Sequence, residues 1–390
     1  MPFEPTEFQL RKFVAPEFIF GIDARKLAAR YARNFGARKV LMVTDPGVIA
    51  AGWTEEILRD LKGAELDYTV FSAVTPNPKS EEVMAGAEMY RSSGCNTILA
   101  VGGGSPIDCA KGIGIVISNR RNILDFEGVD NVDLPSPPLI CIPTTAGSGA
   151  DVSQFAIITH VEKRVKIAII SKTLVPDAAL IDPVVTTTMP ADLTACTAMD
   201  ALCHSIEAFV STAHSPITDV HALQAMRLVA ANLLQTLKEP ENMVLRGRIM
   251  LASLQAGLAF SNASLGAVHA MAHSLGGYLG SSHGECNAIL LPHVIDFNFE
   301  TAAARYGEVA RSMGLDTAGM PPERCKNALT SFLMQLVREA GIAHSLEQLG
   351  VTRGDIPALA GKAIEDPCIF TNPRQMTRHD LEEIYDKAFR

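Results

Sequence analysis

Up to about Ala191 the chain alternates short β-rich runs with helical periods, and beyond that point strand signals nearly vanish. The runs 39–44, 67–71, 97–101, 138–143 and 180–182 are short and apolar, with helical stretches at 24–34, 48–61, 80–92 and after Gly104. This alternation predicts a mostly parallel sheet with helices on its faces. Residues 11–20 read as short extended segments, and 155–159 with 167–170 as a β pair around the basic turn 162–166. After Ala191 the apolar periodicity is helical: 193–210, 219–237, 244–260, 268–279, 302–313, 322–340 and 381–389. We therefore expect an α/β domain over 1–190 and an all-helical domain over 191–390.

A length of 390 residues is ample for two cores. Net charge is −9 with no basic run, which argues against a nucleic-acid groove or an anionic membrane surface. No window of about twenty residues is uniformly apolar, and the N-terminus lacks a signal-peptide core, so a cytoplasmic location is expected. The eight cysteines form no CxxC pair, which predicts reduced thiols and no cysteine-based zinc site.

Two glycine-rich loops follow predicted strands. Gly102-Gly103-Gly104-Ser105 opens a helix, with Ser105 expected as N-cap, Pro106 at the first helical position and Asp108 at the third. Glycines let the backbone approach an anion, and a helix N-terminus offers unpaired N–H groups. The spacing is not GxGxxG, and a ligand-free tight turn reads the same way. A second loop, Thr144-Thr145-Ala146-Gly147-Ser148-Gly149, adds hydroxyls for the same pyrophosphate. Asp45 ends the first strong strand. It can bond ribose hydroxyls and repel a 2′-phosphate, favouring NAD, or simply form the Asp45-Pro46-Gly47 turn. Lys166 faces a phosphate or ribose in one reading and solvent in the other.

Asp200 and His204 lie four apart in the run 193–210, and His269 and His273 repeat that spacing in 268–279. Residues four apart share one helix face. A lone histidine on an apolar helix is ordinarily a core residue. Two such pairs, with His283 on a following loop, predict convergence on one cation. Asp200, His204, His269 and His283 supply one oxygen and three imidazoles, a set suited to Fe(II), Zn(II), Co(II) or Mn(II). His273 is the extra member, unbound and able to accept or relay a proton. A metal beside a dinucleotide points to hydride transfer to or from an alcohol, with the metal as Lewis acid.

The motifs GGGSPIDCAK (102–111), IPTTAGSG (142–149), Ile181-Asp182-Pro183, MDALCHSIEA (199–208), VHAMAHSLG (268–276), His283-Gly284, Asn287, Leu291-Pro292-His293 and TNPR (371–374) extend over nearly the whole chain. With them the chain resembles the iron-containing (group III) alcohol dehydrogenases. The resemblance implies a dehydroquinate synthase-like architecture: an N-terminal Rossmann-like α/β domain, a C-terminal helical domain and an active site between them. It implies metal ligation by Asp200, His204, His269 and His283, with His273 as the unliganded catalytic histidine. NAD contacts are implied at or beside Asp45, Asn77, Gly103, Gly104, Ser105, Asp108, Thr144, Thr145, Ser148 and Lys166. Fe(II) is the implied metal, with Zn(II) as the other candidate, and a homodimer or larger homo-oligomer the implied assembly. One departure is Ser148-Gly149-Ala150-Asp151-Val152, where the family usually has Thr-Gly-Ser-Glu-Val; Asp151 is one methylene shorter than that Glu. The expected function is NAD-linked oxidation of small primary alcohols or reduction of their aldehydes. The alternatives are a lactaldehyde- or propanediol-type polyol oxidoreductase and a non-catalytic regulator of ethanol oxidation.

Overall fold

The computed structural model describes residues 10–390 apart from Arg164. Nine strands are present among the described residues: β1 (Glu17–Phe20), β2 (Lys39–Val43), β3 (Asp67–Phe71), β4 (Thr97–Gly102), β5 (Gly128–Val129), β6 (Leu139–Pro143), β7 (Phe155–His160), β8 (Val165–Ile170) and β9 (Ala178–Ile181). Six of them make one parallel sheet in the order β1-β9-β6-β4-β2-β3. The other three form a small sheet in which β7 and β8 run antiparallel.

The central strands are apolar at nearly every position because both faces are covered. Val40, Met42, Leu99, Val101, Ile140 and Ile142 enter one core. Leu41, Val43, Ile98, Ala100, Leu139 and Cys141 enter the other. Side chains alternate across a strand, so a parallel sheet packed by helices on both sides needs this continuous pattern. The helices of this part are α1 (Ala28–Asn34), α2 (Pro46–Ala50), α3 (Trp53–Gly63), α4 (Ser80–Ser93) and α5 (Gly104–Asn119). The expected single helix over 48–61 is broken, because Gly52 adopts φ 85° between α2 and α3. With β3 on one side of β2 and β4 on the other, the strand order reverses there. Ligands of open α/β sheets bind outside the carboxyl ends of the strands at such a point.

The Ile181-Asp182-Pro183 motif has a structural role. Asp182 caps the 3-10 helix Pro183–Thr188 through Val184 N (3.0 Å). Its Oδ2 accepts from the Arg25 guanidinium at 2.6 Å. Arg25 also pairs with Glu56 at 2.7 Å and lies over the Trp53 ring.

The remaining helices are α6 (Ala191–Val210), α7 (Pro216–Lys238), α8 (Met243–Ala263), α9 (Ala267–Leu279), α10 (His283–Asn298), α11 (Ala303–Ser312), α12 (Pro322–Glu339), α13 (Ile356–Ala363) and α14 (Arg378–Lys387). Among the described residues α8 alone is long and apolar enough to cross a membrane, and 67% of its apolar window is buried within the fold, as in a core helix. His283, expected on a loop, is the first residue of α10.

The chain divides into two compact units, and two stretches depart from the expected division at 190/191. Glu241–Met250 groups with Ala15–Met189, and residues 10–14 group with the helical unit. The Arg246 guanidinium donates to Met189 O (3.4 Å), fastening the start of α8 to the α/β unit. Val14 N donates to Asn262 Oδ1 (2.6 Å), fastening the leading segment to the helical one.

Candidate metal centre and nucleotide loops

Three helices of the helical unit bring the predicted ligands together. One turn of α6 separates Asp200 from His204, α9 carries His269, and α10 begins with His283. One donor atom from each lies within 4.8 Å of all the others. Asp200 Oδ1 stands 3.8 Å from His204 Nε2, 3.7 Å from His269 Nε2 and 3.8 Å from His283 Nε2. Gly284 permits this approach, because a Cβ there would run into the Cys196 carbonyl and press on Asp200. The His204 ring is sandwiched between Phe260 and His269, with centroids 4.3 and 4.5 Å away.

The donor set fits a first-row metal ion. Tetrahedral ligation at ~2.1 Å places neighbouring donors about 3.4 Å apart, so the three imidazole nitrogens need approach Asp200 Oδ1 by only a few tenths of an ångström. Glu207 Oε2 lies 2.6 Å from His269 Nδ1 and fixes the proton there, which turns Nε2 into the metal-facing nitrogen. The other Glu207 oxygen accepts from Val268 N at 2.7 Å, and Asn372 Oδ1 accepts from Ala267 N at 3.2 Å. Together they cap α9, whose own N-cap, Gly266, has no side chain. A Cβ at Gly266 would come within 2.8 Å of Glu207 Oε1, so the glycine makes room for the borrowed cap. The Asn287 amide donates to Asp200 Oδ1 at 2.7 Å, while its own oxygen is buried with no hydrogen-bond partner.

Electrostatics agree with a cation. Burial opposes ionisation of Asp200, yet His204, His283 and His269 outweigh it and hold the carboxyl well below its usual range. Burial also opposes charge on His269, but its hydrogen bonds to the Asp200 and Glu207 carboxylates favour it, and its pKa is raised well above the ordinary value. The cluster therefore calls for positive charge. Cys203 lies near His269, yet burial pushes its thiol up to about 12, so it offers no thiolate.

The predicted nucleotide residues gather in the α/β unit. Thr144 N donates to Gly102 O across neighbouring strands (3.0 Å). A Cβ on Gly103 would press on Thr145, and one on Gly104 would lie 3.1 Å from Ser148 Cβ, so the two loops are in contact. Ser105 is not the N-cap. α5 begins at Gly104 with Gly103 capping it, and the Ser105 hydroxyl instead accepts from Asn77 N at 3.2 Å. Asn77 adopts φ 59°, and its carbonyl accepts from Thr159 Oγ1. Asp45 caps α2 through Val48 N at 2.9 Å, with Pro46 as the first helical residue, so the Asp45-Pro46-Gly47 segment opens a helix. Asp108 accepts from Ile157 N at 3.1 Å, and Lys166 pairs opposite Thr159 in the β7–β8 ladder.

Sequence reasoning missed Lys111, Glu207 and Asp366. Lys111 is fully buried and donates to Ser153 O (2.8 Å) and Phe155 O (2.7 Å), anchoring α5 to the start of β7. Asp151 is buried nearby. Burial pushes its carboxyl from 3.8 up to about 6, against the pull of Lys111. The folded value lies above the unfolded one. Stability from this group is therefore full below about pH 4 and is lost as pH rises through about 6, on the order of 3 kcal/mol in all. Asp151→Asn should remove that slope. Chemical denaturation across this range should show wild type losing ground to the variant as pH rises; parallel profiles would contradict it.

The sequence profile described as iron-containing alcohol dehydrogenase matches residues 15–183. That of the Fe-containing alcohol dehydrogenase family, C-terminal, matches 194–389. The chain belongs to the iron-containing alcohol dehydrogenase family. It is 38% identical to the 1,3-propanediol dehydrogenase of Citrobacter freundii over 372 residues, covering 95% of this chain and 96% of that one. It is 34% identical to the NAD-dependent methanol dehydrogenase of Bacillus methanolicus, covering 96% and 99%. A crystal structure of 1,3-propanediol oxidoreductase superimposes with a TM-score of 0.95 at 36% identity, over 98% of this chain and all of that one. In this iron-containing alcohol dehydrogenase the family motifs thus divide by task. GGGSPIDCAK and IPTTAGSG build two touching loops, MDALCHSIEA and VHAMAHSLG build the four-donor cluster, and TNPR caps a histidine-bearing helix.

Proposed function

We propose that the protein oxidises small primary alcohols, and reduces the matching aldehydes, using NAD and an Fe(II) ion held by Asp200, His204, His269 and His283; Zn(II) suits the same donors. The observation that carries this reading is the convergence of one carboxylate oxygen and three imidazole nitrogens within 4.8 Å. A metal held there supplies a Lewis acid for the alcohol oxygen. The chain's own residues do the rest. Glu207 orients His269, and Phe260 covers one face of His204. His273, one turn beyond His269 on α9, is the proton acceptor for the alcohol O–H. Backbone N–H groups of Gly103 and Gly104 and the hydroxyls of Ser105, Thr144, Thr145 and Ser148 receive the pyrophosphate. Asp108, Asn77 and Lys166 border that loop cluster. Asp45 keeps one oxygen for a ribose hydroxyl and disfavours a 2′-phosphate. Relatives named as an NAD-dependent methanol dehydrogenase and a 1,3-propanediol dehydrogenase support both the cofactor and the substrate class. We place the protein in the cytoplasm, as its eight cysteines are free thiols. A homodimer or larger homo-oligomer is favoured by the sheet edge at β1, where Phe18 and Phe20 are exposed.

Protein reconstituted with Fe(II) or Zn(II) and supplied with NAD should form NADH with short primary alcohols, and far less NADPH when given NADP. Fully metallated protein that turns over none of a broad alcohol panel would remove the enzymatic reading.

A further inference from the structure

We infer that Asp366 is the positioning residue for His273, fixing the direction and tautomer of the imidazole that accepts the alcohol proton. The inference rests on the proposed role of His273. Asp366 Oδ2 lies 2.8 Å from His273 Nδ1, and the two side chains are only 9% and 6% exposed. The carboxylate is itself held in place. Asp366 is the N-cap of the 3-10 helix Pro367–Thr371, and its Oδ1 accepts from Cys368 N at 2.8 Å. One oxygen is thus fastened to the backbone while the other faces the ring.

Burial works against charge on Asp366, but His273 and the hydrogen bonds from Cys368 together hold the carboxyl below its usual range. An ionised carboxylate only accepts hydrogen bonds, so the imidazole must carry its proton on Nδ1. Nε2 is then the bare nitrogen. The ring also stacks on His283, with centroids 5.2 Å apart and planes 11° from parallel, which fixes its plane beside the four-donor cluster. Cys368 completes a group of three potential ligand atoms with His273 and Asp366. Its thiol is raised well above the ordinary value, by burial first and then by Asp366, so it remains protonated and offers no metal-binding thiolate.

Proton and hydride then have separate destinations. When the alcohol O–H bond breaks, its proton passes to His273 Nε2, and the imidazolium so formed keeps its Nδ1–H on Asp366. NAD, when bound, would take the hydride leaving carbon, and aldehyde reduction would reverse both transfers. The same pairing recurs one turn earlier, where Glu207 orients His269. Two carboxylates therefore set two imidazoles of α9 to different tasks, one as a ligand and one as a base.

Asp366→Asn separates orientation from capping. The side-chain oxygen still accepts from Cys368 N, but an NH2 group now faces His273 Nδ1 and forces the proton onto Nε2. In the zinc-loaded protein, which is diamagnetic, 15N NMR should find His273 protonated on Nδ1 in wild type and on Nε2 in the variant. The variant's kcat should fall at least ~100-fold with KM within about threefold. Asp366→Glu, which restores a carboxylate, should recover part of kcat. An Nε2–H tautomer in wild type, or an Asp366→Asn enzyme with undiminished kcat, would overturn the assignment. Should the wild-type protein oxidise no alcohol at all, the proposed function fails, while the tautomer measurement still decides the Asp366–His273 pair by itself.

Discussion

Replacing His269 by alanine should leave a folded protein that retains almost no metal. His269 is the most enclosed of the four donors, with its side chain 1% exposed, against 27% for His283. It is held from both ends. Glu207 grips Nδ1 at 2.6 Å, and Nε2 faces Asp200 at 3.7 Å. Its ring also supports His204 by stacking at 4.5 Å. The substitution thus removes one donor and loosens a second. Affinity for Fe(II) or Zn(II) should drop by more than the ~10–100-fold that follows loss of an orienting partner alone. Glu207→Gln supplies that smaller effect as an internal standard, because its amide disturbs the tautomer but leaves the imidazole present. Elemental analysis after dialysis against buffer, with circular dichroism to confirm the fold, checks both. Full metal content in His269→Ala would remove that residue from the ligand set.

The second large effect lies in the α/β unit. Asp182 is fully buried, and its partner Arg25 is 6% exposed. Breaking a buried ion pair costs about 3–5 kcal/mol where the remaining charge is left alone; here Glu56 and Asp23 still pair with Arg25, which places the loss toward the lower end of that range. Asp182→Ala also deletes the cap on Pro183–Thr188, typically worth ~1 kcal/mol. The penalty should exceed that of a surface pair such as Glu55–Arg59, where both side chains are more than two-thirds exposed. Urea unfolding should move the midpoint of the transition that reports the α/β unit strongly downward, with an unchanged m-value. A shift equivalent to less than about 1 kcal/mol would show that Arg25 finds compensation elsewhere.

The two four-apart pairs were legible because their signal is local: each lies within one helix, and the helices fall where periodicity places them. The parallel sheet was legible for a related reason, since β2, β4 and β6 bury both faces and read as nearly unbroken apolar runs. The helix starting at His283 was not. Its N-cap, Ser282, makes no side-chain capping bond, and Pro292 interrupts its interior, so neither start signal nor clean periodicity marks it. Ser105 misled for the opposite reason. It is a good capping residue, but α5 starts at Gly104, where the glycine loop turns, and the hydroxyl is used by Asn77. Glu207 and Asp366 carry no local signature. They meet their histidines across 62 and 93 residues of chain, a pairing that only the packed helices reveal. The Asn in TNPR is likewise understood only from contacts distant in sequence, Ala267 N at the start of α9 and Asn298.

The central claim is that four side chains on three helices hold one metal. Crystals of wild-type protein reconstituted with Fe(II), with diffraction recorded at the iron absorption edge, test it most directly. The account predicts one anomalous peak per chain, ~2.0–2.3 Å from an Asp200 oxygen and from Nε2 of His204, His269 and His283, with His273 unligated and still paired with Asp366. A peak on His273, Asp366 and Cys368 instead, or one lacking any of the four predicted donors, would contradict it.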